Sequence, residues 1–235
     1  MLIGPQNLAA NVQKVRAAIA AATAQCGRSV DSVTLLAVSK GQPAESVRAV
    51  AAAGVEHFGE NYLQEALPKI ATLEGHELTW HFIGRLQANK TRLVAERFGW
   101  VHGVDRLQLA ERLSTQRPCH APPLNVCIQV NVAGESGKAG VALAEVAALA
   151  ARVRTLPRLR LRGLMCLPPG EADGARQRHW FAHLRVSFDA LRASGFDVDT
   201  LSMGMSGDFA AAIAEGATLV RIGTAVFGPR AAAPV

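Results

Sequence analysis

Apolar residues in this chain fall in short continuous runs, separated by longer stretches with helical spacing. The first run, Val33-Thr34-Leu35-Leu36-Ala37-Val38-Ser39, ends abruptly on Lys40. Its length and β-branched content suit a strand buried on both faces, as in a parallel sheet. A helix over residues 43–53 is expected at once, because Pro43 suits a first helical turn and Gly54 a helix end. The alternation then repeats. Further strands are expected at 55–59, 78–83, 100–104, 124–132, 159–166, 200–202 and 219–222. Helices are expected between them at 61–73, 87–98, 106–115, 142–154, 174–194 and 208–215. Ahead of all these, Leu8, Val12, Val15 and Ile19 mark an amphipathic helix within residues 1–27, stopped by Cys26-Gly27-Arg28.

Eight strands alternating with helices in one domain predict a single (β/α)8 TIM barrel over residues 1–235, with an extra N-terminal helix. The competing architecture, a doubly wound open sheet, calls for a glycine-rich loop after the first strand. The segment 41–43 carries no GxGxxG. In a barrel, chemistry belongs on the loops after the strand carboxyl ends. Lys40 lies there, as do Asn61, Arg85, Asn131, Glu135, Lys138, Ser206, Gly207, Asp208, Arg221, Gly223 and Thr224.

Composition narrows the class. Charged residues make up 19% of the chain and aliphatics are plentiful, which argues against disorder. The longest apolar runs are broken by charges such as Glu145 and fall short of a membrane span. Lys14 and Arg16 interrupt the N-terminal apolar positions, so that segment reads as a mature helix and not a signal peptide. Cys26, Cys119, Cys127 and Cys166 show neither CxxC nor zinc spacing; reduced thiols, a cytoplasmic location and no metal are expected. The formal charge of +6 raises nucleic acid as a partner. The arginines are dispersed over helices, however, and Arg158, Arg160 and Arg162 read as one polar face of a strand. No nucleic-acid partner is expected, and the chain is expected to be monomeric.

Only five of the 25 basic residues are lysine, so a lysine kept at a strand end invites a chemical reading. The competing reading is that Lys40 snorkels, its stem buried and its ammonium wet. Ser206-Gly207-Asp208 opens the short helix after the seventh strand, with Ser206 placed as its cap, and Gly223-Thr224 follows the eighth. Barrels often bind phosphate between those two loops, where small residues let backbone N–H groups approach the oxygens. An ordinary cap and a glycine turn would look the same in either segment alone. Phosphate opposite a strand-end lysine points to pyridoxal 5′-phosphate (PLP) held as a Schiff base on Lys40. A desolvated position there favours the neutral amine that attacks an aldehyde. Arg221 would face the ring, donating to the pyridine nitrogen without being able to protonate it. The ring would then be a weak electron sink, suited to carriage over demanding carbanion chemistry. A salt bridge from Arg221 to Asp208 or Glu60 is the competing reading.

The motifs Leu35-Leu36-Ala37-Val38-Ser39-Lys40, Phe58-Gly59-Glu60-Asn61-Tyr62, Trp80-His81-Phe82-Ile83-Gly84-Arg85-Leu86-Gln87, Leu201-Ser202-Met203-Gly204-Met205-Ser206 and Val220-Arg221-Ile222-Gly223-Thr224 occur in order along the chain. With them the sequence closely resembles the pyridoxal phosphate homeostasis proteins (YggS-type). The resemblance implies a fold-type III barrel like the N-terminal domain of alanine racemases, with cofactor on Lys40. It places Asn61, Ser206, Gly207, Gly223 and Thr224 among the cofactor-binding positions, and Arg221 at the ring nitrogen. It implies a role in vitamin B6 and amino-acid homeostasis without an established reaction, with apo-enzymes of PLP as transient clients. Arg85 stands where the family usually has proline, and Gly207 where an acidic or polar residue is commoner. A racemase-like enzyme is the alternative. Racemases bring a second base as a tyrosine from another domain or subunit, whereas Tyr62 is the one tyrosine here and reads as a packing or helix-start residue. Lys138, in the glycine-rich and mobile-looking loop 134–140, reads as a solvated lysine, with receipt of the cofactor during transfer as the competing role.

Overall fold

Each apolar run pairs with the run before and after it, so strand order in space follows strand order in the chain. The computed structural model describes residues 4–170 and 173–229; the extremes of the expected domain, 1–3 and 230–235, lie outside them. Its strands are β1 (Thr34–Val38), β2 (His57–Glu60), β3 (Thr79–Phe82), β4 (Trp100–Val104), β5 (Leu124–Val130), β6 (Leu159–Cys166), β7 (Thr200–Ser202) and β8 (Leu219–Ile222). All ladders are parallel, and β8 pairs back onto β1 with Leu36 opposite Arg221, closing the barrel. The (β/α)8 architecture expected from the alternation is the one observed.

The helices are α1 (Pro5–Gln25), α2 (Ala44–Ala52), α3 (Leu63–Thr72), α4 (Thr91–Arg97), α5 (Leu107–Gln116), α6 (Val146–Val153), α7 (Gly174–Ala193), α8 (Phe209–Ala214) and α9 (Thr224–Phe227). Two helices start later than their hydrophobic spacing implied. A 3₁₀ turn, Ala88–Lys90, precedes α4, and another, Leu143–Glu145, precedes α6, where the Glu145 carboxylate accepts from the Ala142 N–H at 3.0 Å. The last helix was not anticipated, since four residues show no period. α1 lays Leu8, Val12, Val15 and Ile19 against the core and ties to α9 through Asn11 Nδ2 donating to the Val226 carbonyl. Burying each such side chain is worth about 1.5–3 kcal/mol.

Strand alternation separates two environments. Outward residues such as Ala37, Phe58, Trp80, Val101, Ile128, Leu164, Leu201 and Val220 join the helices in the main core. The inward positions between them carry His81, His102, Gln129, Ser202 and Arg221, with one small apolar cluster of Trp100, Cys127 and Met165. Barrels of this type usually fill the interior with bulky branched residues. This interior is largely polar.

The arginine excess also finds an explanation. Arg16 donates to the Ala53 and Gly54 carbonyls, Arg28 to Ile213 and Ala217, Arg117 to Ala95, Phe98 and Pro122, and Arg158 to Ser114 and Thr115. Most of these acceptors are orphan carbonyls at helix C-termini, where a multi-donor cation is favourable. In β6, Arg160 and Arg162 alternate with buried Leu159 and Leu161 as one polar face, as expected, while Arg158 lies just before the strand. Arg162 turns under the N-terminal mouth of the barrel, bonded to Asp199 and lying 4.6 Å over the Trp100 ring.

Candidate functional site

Lys40 sits two residues beyond β1, at the carboxyl end of the barrel, and is part-exposed. What fixes its backbone is buried beneath the loop. Lys69, on α3, donates from Nζ to the Ser39 carbonyl at 2.7 Å and to Glu60 Oε1 at 2.5 Å. Ser39 Oγ donates to the same carboxylate oxygen at 2.6 Å, and the Gly41 N–H donates to Glu65 Oε2 at 2.7 Å. Glu60 and Lys69 are both buried, and burial raises the Glu60 pKa against the opposing pull of Lys69 and Ser39. Glu60 Oε2 is buried with no hydrogen-bond partner among the described residues.

Arg221, one register step from the end of β8, is also buried, at 4% exposure. Its Nη1 donates to the Ser202 carbonyl at 2.6 Å and to Ser202 Oγ at 2.8 Å, and its Nη2 to the Cys166 carbonyl at 2.8 Å. All three acceptors are neutral. Burial lowers the Arg221 pKa, yet a guanidinium remains a cation in a protein. The salt bridge to Asp208 or Glu60 set against the ring-facing reading is not formed. Asp208 Oδ1 accepts from the Met205 N–H at 2.5 Å, and Glu60 pairs with Lys69.

Between these two strands lies a small recess. Val38, Lys40 and Gln42 line one side, and Gly223, Thr224, Phe227 and Gly228 the other. A Cβ on Gly223 would meet nothing closer than the Val38 carbonyl oxygen at 3.5 Å, so a ligand oxygen has room to approach that backbone. Lys40, Gly223 and Thr224 are therefore brought together as expected. Ser206 is not the cap of the helix after β7. That helix starts at Phe209 with Asp208 at its N-cap position, because the Asp208 carboxylate already holds the turn through Met205. Ser206 and exposed Gly207 sit in the turn itself and do not line the recess.

Asn61 lies in a second, larger cleft of about 770 Å³, with Gly84, Arg85, Gln87, Lys90 and Arg106. Its Oδ1 is buried without a partner among the described residues. A Cβ on Gly84 would fall 2.2 Å from the Asn61 carbonyl oxygen, so only glycine lets the loops after β2 and β3 touch there. Tyr62 occupies the N-cap position of α3 and is 57% exposed, which makes it a helix-start residue and not a packing one. Lys138 pairs with Glu135 at 2.5 Å. Its loop is pinned, not loose: Asn131 Nδ2 donates to the Glu135 carbonyl, Asn131 Oδ1 accepts from the Glu135 N–H, and Gln129 Nε2 donates to the Ala139 carbonyl.

A buried cation with neutral partners, a glycine turn with room in front of it and a strand-end lysine together suit a flat anionic cofactor. Comparison with known proteins agrees. Residues 3–231 match the family described as alanine racemase, N-terminal domain. Pyridoxal phosphate homeostasis proteins of Pseudomonas aeruginosa and Escherichia coli are 56% and 51% identical, each covering 95% of this chain and 96% and 97% of their own lengths. The chain belongs to the pyridoxal phosphate homeostasis protein family. Among solved structures, PipY of Synechococcus elongatus with PLP bound is 37% identical, with a TM-score of 0.83, covering 94% of this chain and 100% of its own.

Two groups of this family member escaped the sequence reading. One is Lys69 with Glu60, on a helix and a strand nine residues apart. The other is the set of interior polar residues behind Arg221, His81, His102 and Ser202, each fully buried. The signal for the second was present: a histidine between apolar neighbours in Trp80-His81-Phe82 and beside Val101 in β4 marks an inward polar position.

Proposed function

We propose that this protein binds pyridoxal 5′-phosphate at the recess between β1 and β8 and serves in cytoplasmic vitamin B6 homeostasis, as a carrier and not a robust catalyst. The observation that carries the reading is Arg221, a buried cation bonded, among the described residues, to neutral acceptors, one strand over from Lys40. In this reading Lys40 supplies the amine that takes the cofactor aldehyde. Gly223 and Thr224 hold the phosphate, Ser206 and Gly207 reach it from the neighbouring turn outside the recess, and Arg221 donates to the ring nitrogen. Asn61 approaches from the adjoining cleft. When bound, the cofactor supplies an electron-withdrawing ring. An arginine at its nitrogen keeps that ring weakly withdrawing because it donates without transferring a proton.

Carriage is favoured over racemase-like turnover by Tyr62, which lies in the second cleft and not in the recess beside Lys40. Exposed apolar residues on the same rim, Leu167 and Met205, are suited to transient contact with client apo-enzymes. Borohydride treatment of protein mixed with PLP should fix one cofactor on Lys40, and Lys40→Ala should lose it entirely. A wild-type protein that stays colourless after reconstitution refutes the reading. Amino-acid Cα–deuterium exchange that depends on Lys40 would replace carriage with catalysis.

A further inference from the structure

Behind Arg221, three histidines stand in single file across the barrel interior. His57 Nδ1 lies 2.9 Å from His81 Nε2, and His81 Nδ1 lies 2.9 Å from His102 Nε2. His102 Nδ1 lies 2.8 Å from Ser202 Oγ, the oxygen that also accepts from Arg221 Nη1 at 2.8 Å. The file thus passes through β2, β3, β4, β7 and β8. Its far end is wet. His57 is half-buried and lines a cavity of about 630 Å³ at the N-terminal mouth, with Trp100, Asn125, Arg162 and Asp199. The cofactor reading uses none of these histidines.

We propose that His102, His81 and His57 are positioning residues for Arg221, forming a hydrogen-bond file whose direction Arg221 imposes and which in turn fixes the guanidinium. An arginine only donates, so Ser202 Oγ must accept from it. The remaining hydroxyl hydrogen then has His102 Nδ1 as its acceptor. A neutral imidazole carries one N–H and one bare nitrogen. His102 with a bare Nδ1 carries its proton on Nε2 and donates to His81 Nδ1. His81 by the same logic donates from Nε2 to His57 Nδ1, and the His57 proton faces the mouth. In the opposite direction, His102 would donate to Ser202 Oγ, leaving the hydroxyl hydrogen without an acceptor beside a cation.

A doubly protonated ring in the middle of the file would set two donors against each other at one junction. Burial, together with the neighbouring histidines and Arg221, holds His81 and His102 neutral. Ring packing fixes the planes: His81 stacks on Trp100, with centroids 5.1 Å apart and planes 12° from parallel. What the fixed guanidinium offers to a cofactor ring rests on the reading above, but the file and its hold on Arg221 do not.

The test therefore uses the full chain without cofactor. ¹⁵N NMR of the histidines at pH 7 should show Nε2–H tautomers at His57, His81 and His102. An Nδ1–H tautomer or a doubly protonated ring at His81 or His102 overturns the file. In the same samples, Arg221 guanidinium hydrogens should exchange about tenfold faster in Ser202→Ala and in His102→Phe, the loss of roughly one net hydrogen bond. His102→Asn, whose amide oxygen can take the place of Nδ1, should recover most of the slow exchange. Unchanged Arg221 exchange in folded Ser202→Ala overturns the positioning role, and that variant loses one atom, so the test survives if His102→Phe does not fold. A protein with the expected tautomers and exchange that takes up no PLP refutes the cofactor reading and upholds the file.

Discussion

The two ends of the candidate site each bury a cation, and they do so in opposite ways. Under the Lys40 loop, Lys69 has its counter-charge built in: Glu60 lies 2.5 Å away, and the pair is braced by the hydroxyl and carbonyl of Ser39. On the adjoining strand, Arg221 is as deeply buried and, among the described residues, hydrogen-bonds two carbonyls and a hydroxyl. Burying an ion without a counter-ion costs several kcal/mol. A fold that tolerates this at one position, while pairing the other carefully, has left room for a counter-charge from outside. The first pair is architecture; the second belongs to the candidate site.

The contrast can be broken from either side. Removing Lys69 should have the largest effect. Lys69→Met strands a buried carboxylate and should cost about 3–5 kcal/mol in urea unfolding, much of it recovered in the Lys69→Met/Glu60→Gln double variant. A double variant as unstable as the single would show that the pair is not what matters there. Arg221→Met should behave differently, with a smaller change in the stability of the cofactor-free chain. It should weaken PLP binding by roughly 10- to 100-fold, the worth of one charge-assisted hydrogen bond, as measured by titration. Equal losses of stability at the two sites would erase the distinction.

Acid provides a subtler separation. His102 is pushed down to about 3 and His81 well below its ordinary value by burial, and both titrate near 6.5 once unfolded. Their depressed values mean that the folded state refuses protons the unfolded chain accepts. Stability should be complete above pH 6.5 and fall as pH drops toward 3, by about 1.4 kcal/mol per pH unit for each histidine charged on unfolding. His102→Phe should flatten the slope by one such increment in denaturant titrations at pH 4 to 6. The smallest expected effect is that of Ser39→Ala, about 1 kcal/mol, since Lys69 still holds the carboxylate.

The barrel was legible because short apolar runs alternate regularly with helical spacing, and the pairing of β1 with β8 then brought Lys40 and Gly223-Thr224 together with no further information. The interior was harder to read. A fully buried strand presents apolar residues on one face and, in this barrel, polar residues on the other. His81 between Trp80 and Phe82 is half of an alternation from which the sequence reading drew no interior role. The Ser206 cap failed for a local reason. Ser and Asp are both common at N-caps, and the sequence does not reveal that the Asp208 carboxylate turns back to the Met205 N–H and leaves Asp208 at the N-cap position without a side-chain cap bond. Lys69 was invisible because its partner is set by a helix docking on a strand, a contact that no spacing rule encodes.

The arginine clamps on helix ends carry a chemical corollary. An aldehyde in solution condenses with amines indiscriminately, and every surface lysine is a competitor for it. Guanidinium groups stay protonated and offer no such nucleophile. By giving the work of holding carbonyls to Arg16, Arg28, Arg117 and Arg158, the chain needs few lysines, and of its five, Lys69 is sealed against Glu60 and Lys138 is engaged by Glu135. On the proposed reading, in which Lys40 takes the aldehyde, fewer stray amines compete for it, and selectivity begins with what the arginines cannot do.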